Sequence, residues 1–501
     1  MSSNSAHIVH QLRCDFQELL EYVTGDQAQS RTAYEVELTL FRRLLVLGAK
    51  LLHLFFVHRA ATRPKGPFYA PDGTELEYHD LRPTTYFSVF GKIRFRRHYF
   101  HASGQEGFCP LDAQLSLPSR CYSDLLRDWA EYSVTTESYD ESIKVLKRIL
   151  NLSLSKRALE TGVLEDATDV AAFYEQKAVP PPETEGCLLV VQADGKGVPM
   201  VRTDSAPQSA RRGKGQKRTK KKEAVVTAIY TIEPYFRTVQ EVVNALLRGE
   251  EKGAEEQSPA PSRLKRPTPI GKEVRATLAG KDVAFERLTR RVVQREGKHI
   301  QHRVALTDGT EPLQRQVNDR LSTFTLVLDI IHAVEYLWQA ANALLGETNP
   351  DRTAWVREYL SLILSGRTTK VIRALEERVE DLSLSASQRK AVHSTIGYYR
   401  RNLPYMQYDQ YLAQGWPIGT GVVEGACGHL VKDRMEQSAM RWTRSGAQAV
   451  LDLRAVRVND DWDVYQCFRR RCQHRRLYDT RPVAIPMPEI FAFSQVAQVV
   501  A

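Results

Sequence analysis

The stretch LLVVQADGKG at residues 188–197 constrains this chain more than any other. Leu188, Leu189, Val190 and Val191 make a strand apolar enough to need burial, and it ends on Asp194 with Gly195 and Gly197 behind it. A surface turn needs no such strand, so what matters is whether other acids are presented in the same way. Two are. In HRVALTDGT an apolar run ends on Asp308-Gly309, and in FTLVLDIIHAVEYLW a further run ends on Asp329 and continues as a helix bearing His332. A lone Asp-Gly after a strand is the signature of a turn. Three acid-ended strands between positions 194 and 329 point further, because in a mixed α/β sheet the carboxyl ends of neighbouring parallel strands lie side by side and their acids converge on one crevice.

Converging carboxylates repel and are costly to ionise together. A divalent cation removes that cost, and oxygen ligands of this kind suit Mg²⁺ or Mn²⁺. A fourth acid lies in GWPIGTGVVEGACGHLVKDRMEQSAMRW, residues 415–442. If a helix begins near Thr420, Glu424 shares a face with Cys427, Gly428, Val431 and Met435. The plain alternative for Glu424 is an acid favoured by a helix N-terminal dipole. The chain order expected is a three-strand meander turning at DGKG, a helix, the Asp308 strand, a helix, the Asp329 strand, a helix, and a late helix with Glu424. That is the order of a ribonuclease-H-like fold, in which acids gather two metal ions. Two such ions can activate a water or a 3′-hydroxyl and stabilise the leaving oxygen of a phosphodiester displacement. Asp194, Asp308 and Glu424 are the expected catalytic and metal-holding acids. Asp329, with His332 one helical turn on, is either a bracing pair or the alternative second acid.

The rest of the chain adds a nucleic-acid theme. Against 60 acids stand 70 Lys and Arg, a net charge of +10, which favours a polyanionic partner. From Arg211 to Lys222 run Arg211, Arg212, Lys214, Lys217, Arg218, Lys220, Lys221 and Lys222 without an acid, expected as a mobile loop that either attracts a nucleic-acid backbone or is merely solvated. In SYDESIKVLKRILNLSLSKRALETGVLED a helix with Ile143, Leu146, Ile149 and Leu150 on one face breaks at Asn151–Ser153 and resumes. Lys156 and Arg157 then fall in the first turn of the second helix, where they either meet phosphates or lie on an ordinary solvated face. Arg400 and Arg401 in YYRRNLPYMQY either grip DNA beside stacking tyrosines or belong to an aromatic junction. Trp442 either wedges against a base or, as the favoured reading, packs in a core or interface.

Cys467, Cys472 and His474 lack a fourth ligand nearby and do not suggest zinc. Seven scattered cysteines argue for a reducing compartment. The most apolar segment, residues 41–56, is interrupted by Arg42, Arg43 and Lys50 and is expected as a core helix rather than a membrane span. MSSNSAHIVHQLRCDFQELL carries no signal-peptide apolar core, so the expected location is cytoplasmic, nucleoid-associated when bound to DNA.

The expected division is 1–120, N-terminal helices with a β-hairpin turning at Gly91; 121–180, a helix-turn-helix-like DNA-binding region; 183–345 and 412–455, the α/β catalytic core, a ribonuclease-H-like mixed sheet flanked by helices; 346–411, a helical insertion; and 456–501, a C-terminal tail. The stretch 249–269 is expected to be disordered.

On VVQADGKGVPM, AIYTIEPYFRT, LDIIHAVEYLW and above all GWPIGTGVVEGACGHLVKDRMEQSAMRWTRSGAQAVLDLR, with GFCPLD and LSLSKRALE nearer the N-terminus, the chain resembles the DDE-class transposases of bacterial insertion sequences, most closely the ISKra type. The resemblance implies a ribonuclease-H-like catalytic domain, two Mg²⁺ or Mn²⁺ ions per site, and cleavage and strand transfer at the element's ends. It further implies double-stranded DNA, both ends and target, as partner, a homo-oligomer on DNA, and acids at Asp194, an internal Asp and Glu424. Asp329-x-x-His332 is similar to the Cys/Asp-x-x-His signature of many such enzymes. Two other functions remain open: a ribonuclease-H-like nuclease without strand transfer, and a catalytically silent transposase-derived DNA-binding protein, against which the intact acids argue.

Overall fold

The structure is a computed structural model, and it describes residues 3–201, 221–248, 266–380, 384–482, 485–493 and 495. The chain divides into two units, Met1–Phe173 with Asp460–Ala501, and Tyr174–Asn459.

The first unit begins with the helices Ser3–Thr24 and Ala33–Ala60, the second opened by a capping box between Thr32 and Glu35. The expectation of a core helix over 41–56 is corrected here: Phe56 is buried, but Phe41, Leu44, Val46, Leu51 and Phe55 are exposed. Apolar spacing specifies a face, not what covers it. Strands β1 (Phe68–Tyr69), β2 (Glu75–Ser88) and β3 (Gly91–His101) form an antiparallel sheet in that order, and the β2–β3 hairpin closes at Ser88↔Gly91, with Gly91 at φ +119°.

Helices Asp124–Val134, Tyr139–Leu150, Lys156–Asp166 and Val170–Gln176 follow, and the expected break is made by Asn151 in the left-handed conformation (φ 56°). Ile149 is exposed rather than on the inner face. The stretch 456–501, expected as a tail, contains the helix Trp462–Tyr478, which belongs to this unit. Its Arg469, 1% exposed, reaches Asp124 at 2.9 Å and Asp166 at 3.0 Å. A charge pattern on a helix does not announce partners some 300 residues away.

The second unit holds a five-stranded sheet of order β6-β5-β4-β7-β8, made of β4 (Leu188–Pro199), β5 (Lys221–Ile232), β6 (Ile270–Thr277), β7 (His302–Thr307) and β8 (Thr325–Leu328). β6, β5 and β4 are antiparallel neighbours; β4, β7 and β8 are parallel. The expected turn at DGKG does not occur. β4 continues through it, with Asp194↔Val226 and Gly197↔Glu223 in register with β5. Neither Gly195 nor Gly197 takes a positive φ. Their missing Cβ atoms instead leave room for cross-strand side chains, since a Cβ on Gly195 would stand 2.4 Å from Glu223 Oε1. The meander is therefore completed by β6, in a stretch where no strand was expected, and Lys221 and Lys222 lie in β5 rather than in a loop.

β4 is buried on both faces, as its unbroken apolar run requires. Leu188 and Val190 join a core with helices Ile330–Leu345, Arg352–Leu364, Thr368–Val379 and Ala386–Asn402. Leu189, Val191 and Ala193 face Phe285, Leu288, Leu313 and Val317 on the other side. The expected helical insertion is thus helical, and it supplies much of one core. No helix of the described residues is long and apolar enough to cross a membrane.

Candidate active site

Register brings the aspartates together. Ala193 pairs with Thr307, and Thr307 with Leu328, in the parallel part of the sheet. The next residue in each case is an aspartate, so Asp194, inside β4, stands in a row with Asp308 and Asp329, which directly follow β7 and β8. Alternation along β4 and β7 turns Asp194 and Asp308 to the face of Leu188, Val190, Val304 and Leu306.

Glu424 comes from the short helix Gly421–Ala426, which runs on through a π-helical turn, Cys427–Lys432. Gln192, the one polar side chain inside the apolar run of β4, fastens that helix to the sheet. Its Oε1 accepts from Val423 N–H at 2.9 Å, and its Nε2 donates to Tyr230 Oη at 3.0 Å and to the Gly419 carbonyl at 3.3 Å. One turn beyond Glu424, the Cys427 thiol donates to Asp194 Oδ2 at 3.3 Å. Burial first, then the charge of Asp194, pushes that thiol well up, so it stays protonated beside the acids.

Asp329 is fully buried and caps the helix Ile330–Leu345. Its Oδ1 accepts from Thr420 N–H at 2.9 Å; its Oδ2 accepts from His332 N–H at 3.1 Å and from the His332 ring at Nδ1, 2.7 Å. Thr420 Oγ1 in turn donates to Glu424 Oε1 at 2.7 Å. The hydrogen bond to Asp329 pushes the His332 imidazole up to about 9 against the opposing effect of burial, so the ring is cationic at neutral pH. Among the described residues, ligand atoms of Asp329, His332 and Glu424 lie within 4.8 Å of one another. Asp194 and Asp308 are not in that group.

The Asp308 turn is braced by the helix Ala386–Asn402. Tyr398 Oη donates to the Asp308 carbonyl at 2.9 Å and Arg401 Nη2 to the Gly309 carbonyl at 3.0 Å. Gly309 adopts φ +82°, and a Cβ there would stand 2.7 Å from Tyr398 Oη, so only glycine fits. Tyr408 donates to the Leu328 carbonyl at 2.9 Å and Tyr399 to that of Ala333 at 2.7 Å. Three tyrosines from outside the sheet therefore pin the backbone at Asp308, Leu328 and Ala333. Sequence reasoning had no signal for these bonds beyond the tyrosine clustering itself.

Residues 72–225 match the model of an uncharacterised protein family (UPF0236). The match takes in Asp194 and ends before Asp308, Asp329 and Glu424. No curated protein matches the chain.

Of the residues expected to meet DNA, Arg401 stands at this site, on the Gly309 carbonyl. Lys156 pairs with Asp140 at 2.8 Å, Arg157 is exposed, and Arg400 pairs with Glu376. Lys221 pairs with Glu436. Arg211, Arg212, Lys214, Lys217, Arg218 and Lys220 lie outside the described residues. Trp442 is buried, with its indole N–H on the Met435 carbonyl at 3.1 Å and its backbone paired to the end of β4. Cys467, Cys472 and His474 do not form a metal-binding group among the described residues.

Proposed function

We propose that this chain is a DDE-class DNA transposase that binds the ends of a mobile element and performs metal-dependent strand cleavage and strand transfer. The observation that supports the reading is the row Asp194–Asp308–Asp329, set in register on a mixed five-stranded sheet whose order and strand directions are compatible with a ribonuclease-H-like core, with the Glu424 helix fastened to β4 two residues before Asp194. The donor set suits a hard divalent cation: Asp194, Asp308 and Glu424 offer carboxylate oxygens, while Nδ1 of His332 is engaged by Asp329 and the nearby sulfur of Cys427 keeps its proton. Two Mg²⁺ or Mn²⁺ ions held there would supply activation of a water or 3′-hydroxyl and stabilisation of the leaving oxygen.

The chain's own residues do the positioning. Asp329 spends both oxygens on N–H donors, which suits a brace better than a metal ligand, and through Thr420 it fixes the start of the Glu424 helix. Its closeness to Glu424 and His332 is the observation that favours the other assignment, with Asp329 as second acid. Nicking and joining of a duplex bearing the element's terminal repeats, with Mg²⁺, test the reading. Asp308→Asn should abolish both steps in a folded protein. Loss confined to Asp329→Asn would move the second acid there; cleavage without joining would make the chain a nuclease; no metal-dependent cleavage by the wild type would overturn the reading.

A further inference from the structure

The outer face of the β2–β3 ribbon is a cationic stripe with no acid to answer it. From Leu81 to His101 the chain holds five Lys or Arg and no Asp or Glu. Arg82 and Arg97 are occupied, Arg82 by Asp80 at 3.4 Å and Arg97 by Asp112 at 2.6 Å. The other three, Lys92, Arg94 and Arg96, alternate with the buried Ile93 and Phe95 and are exposed. Their cross-strand neighbours are Phe87, Thr85 and Pro83, all uncharged. Among the described residues no carboxylate pairs with them, whereas the exposed Lys156, Arg290 and Arg400 all have acidic partners.

The stripe is also held stiff. Phe95 stacks on Phe56 with ring centroids 4.3 Å apart, and Tyr86 meets the same ring edge-on at 5.0 Å. At the hairpin tip Phe90 lies over Gly48, where a Cβ would stand 2.7 Å from its ring. Alternate residues of a strand stand about 6.8 Å apart, the order of the spacing between neighbouring phosphates along one nucleic-acid strand. Two of the three cations are guanidinium groups suited to phosphate oxygens; that of Arg96 also donates from Nε and Nη2 to the Leu81 carbonyl at 3.2 and 2.8 Å, which holds it on the ribbon, and a two-stranded ribbon is narrow enough to enter a major groove.

We propose that Lys92, Arg94 and Arg96 form a sequence-independent docking surface for the backbone of double-stranded DNA; the choice of duplex DNA as the polyanion rests on the proposed function above. The test compares the full-length chain with a Lys92→Ala/Arg94→Ala/Arg96→Ala variant and with an Arg290→Ala/Arg315→Ala/Arg320→Ala control. Fluorescence anisotropy on a random-sequence duplex is read across a salt series, and thermal melting confirms that each variant is folded. The ribbon variant should bind about 10- to 100-fold more weakly near 0.1 M salt, and its log–log salt slope should fall by about 2 to 3. The control should match the wild type. An unchanged slope in the ribbon variant, an equal loss in the control, or a loss of binding only to phosphatidylserine vesicles would each overturn the proposal. Nicking with Mg²⁺ is read in the same samples. A wild type that docks through the ribbon yet never nicks keeps this surface and removes the enzyme reading. A ribbon variant that nicks with an unchanged slope does the reverse.

Discussion

In the first unit, Asp124, Glu131 and Asp166 come together around arginines: Arg127 reaches Asp166 at 2.5 Å and Glu131 at 3.8 Å, and Arg469 reaches Asp166 and Asp124. In the second unit, Asp194, Asp308, Asp329 and Glu424 come together with no Lys or Arg in ion-pair distance among the described residues, and His332 alone pairs with Asp329. Both groups are carboxylates crowded by the fold. One is neutralised from within, by guanidinium groups so buried that Arg469 is 1% exposed. The other has, among the described residues, only the His332 ring at Asp329 within ion-pair distance. Crowded acids are therefore a poor guide to function until their counter-charges are counted, because a buried charge needs a partner.

The largest expected effect separates the two groups directly. Asp194→Asn or Glu424→Gln should lower Mg²⁺-dependent duplex nicking by at least about 10⁴-fold, about 5 kcal/mol of barrier, while melting stays within a few degrees of wild type. A variant that instead unfolds would place these acids in the structural class. Next, Arg469→Met should destabilise the protein by about 3–5 kcal/mol in urea titration, because it takes the partner from the buried Asp166 and the half-buried Asp124. Little change would show that the first cluster is not held by that charge.

Within the second group, Asp308→Asn and Asp329→Asn should diverge. In EDTA the Asp308 variant should melt at or slightly above the wild type, since a repelling charge is gone. Adding Mg²⁺ should raise the wild-type melting point and leave the variant's unmoved. Asp329→Asn should lose about 1–3 kcal/mol in either buffer, because Thr420 N–H and His332 lose a charged acceptor. Identical behaviour of the two would erase the distinction between ligand and brace.

The pH response belongs to the first cluster. Burial, then the charge of Asp166, raises Glu131 well above its ordinary 4.5. A carboxyl raised in the folded state contributes stability that is complete below 4.5 and is lost as pH rises through the folded value. Glu131→Gln should therefore flatten the fall in urea midpoint from pH 4.5 upward, and an unaltered pH profile would count against the shared burial of Glu131 and Asp166. The smallest effect is expected from Tyr398→Phe, which removes one bond to the Asp308 carbonyl and should cost about 0.5–1.5 kcal/mol. Nicking should fall more than stability does; a pure stability loss would make Tyr398 a packing residue.

Local pattern in the sequence determined a good deal. The apolar runs of β4, β7 and β8 each stop at an aspartate, the Asn151 break separates two helices, and Asp329 meets His332 one turn on, all because strand and helix periods report burial and spacing within an element. Tertiary structure decided the rest. The glycines of DGKG have the composition of a turn, and only pairing with β5 shows them as strand positions where side chains cross closely. Gln192 meets Val423 across 231 residues, and Arg469 meets Asp166 across 303. No local window contains both members of such a pair. Which acid finds an arginine and which does not is settled by the packing of whole elements.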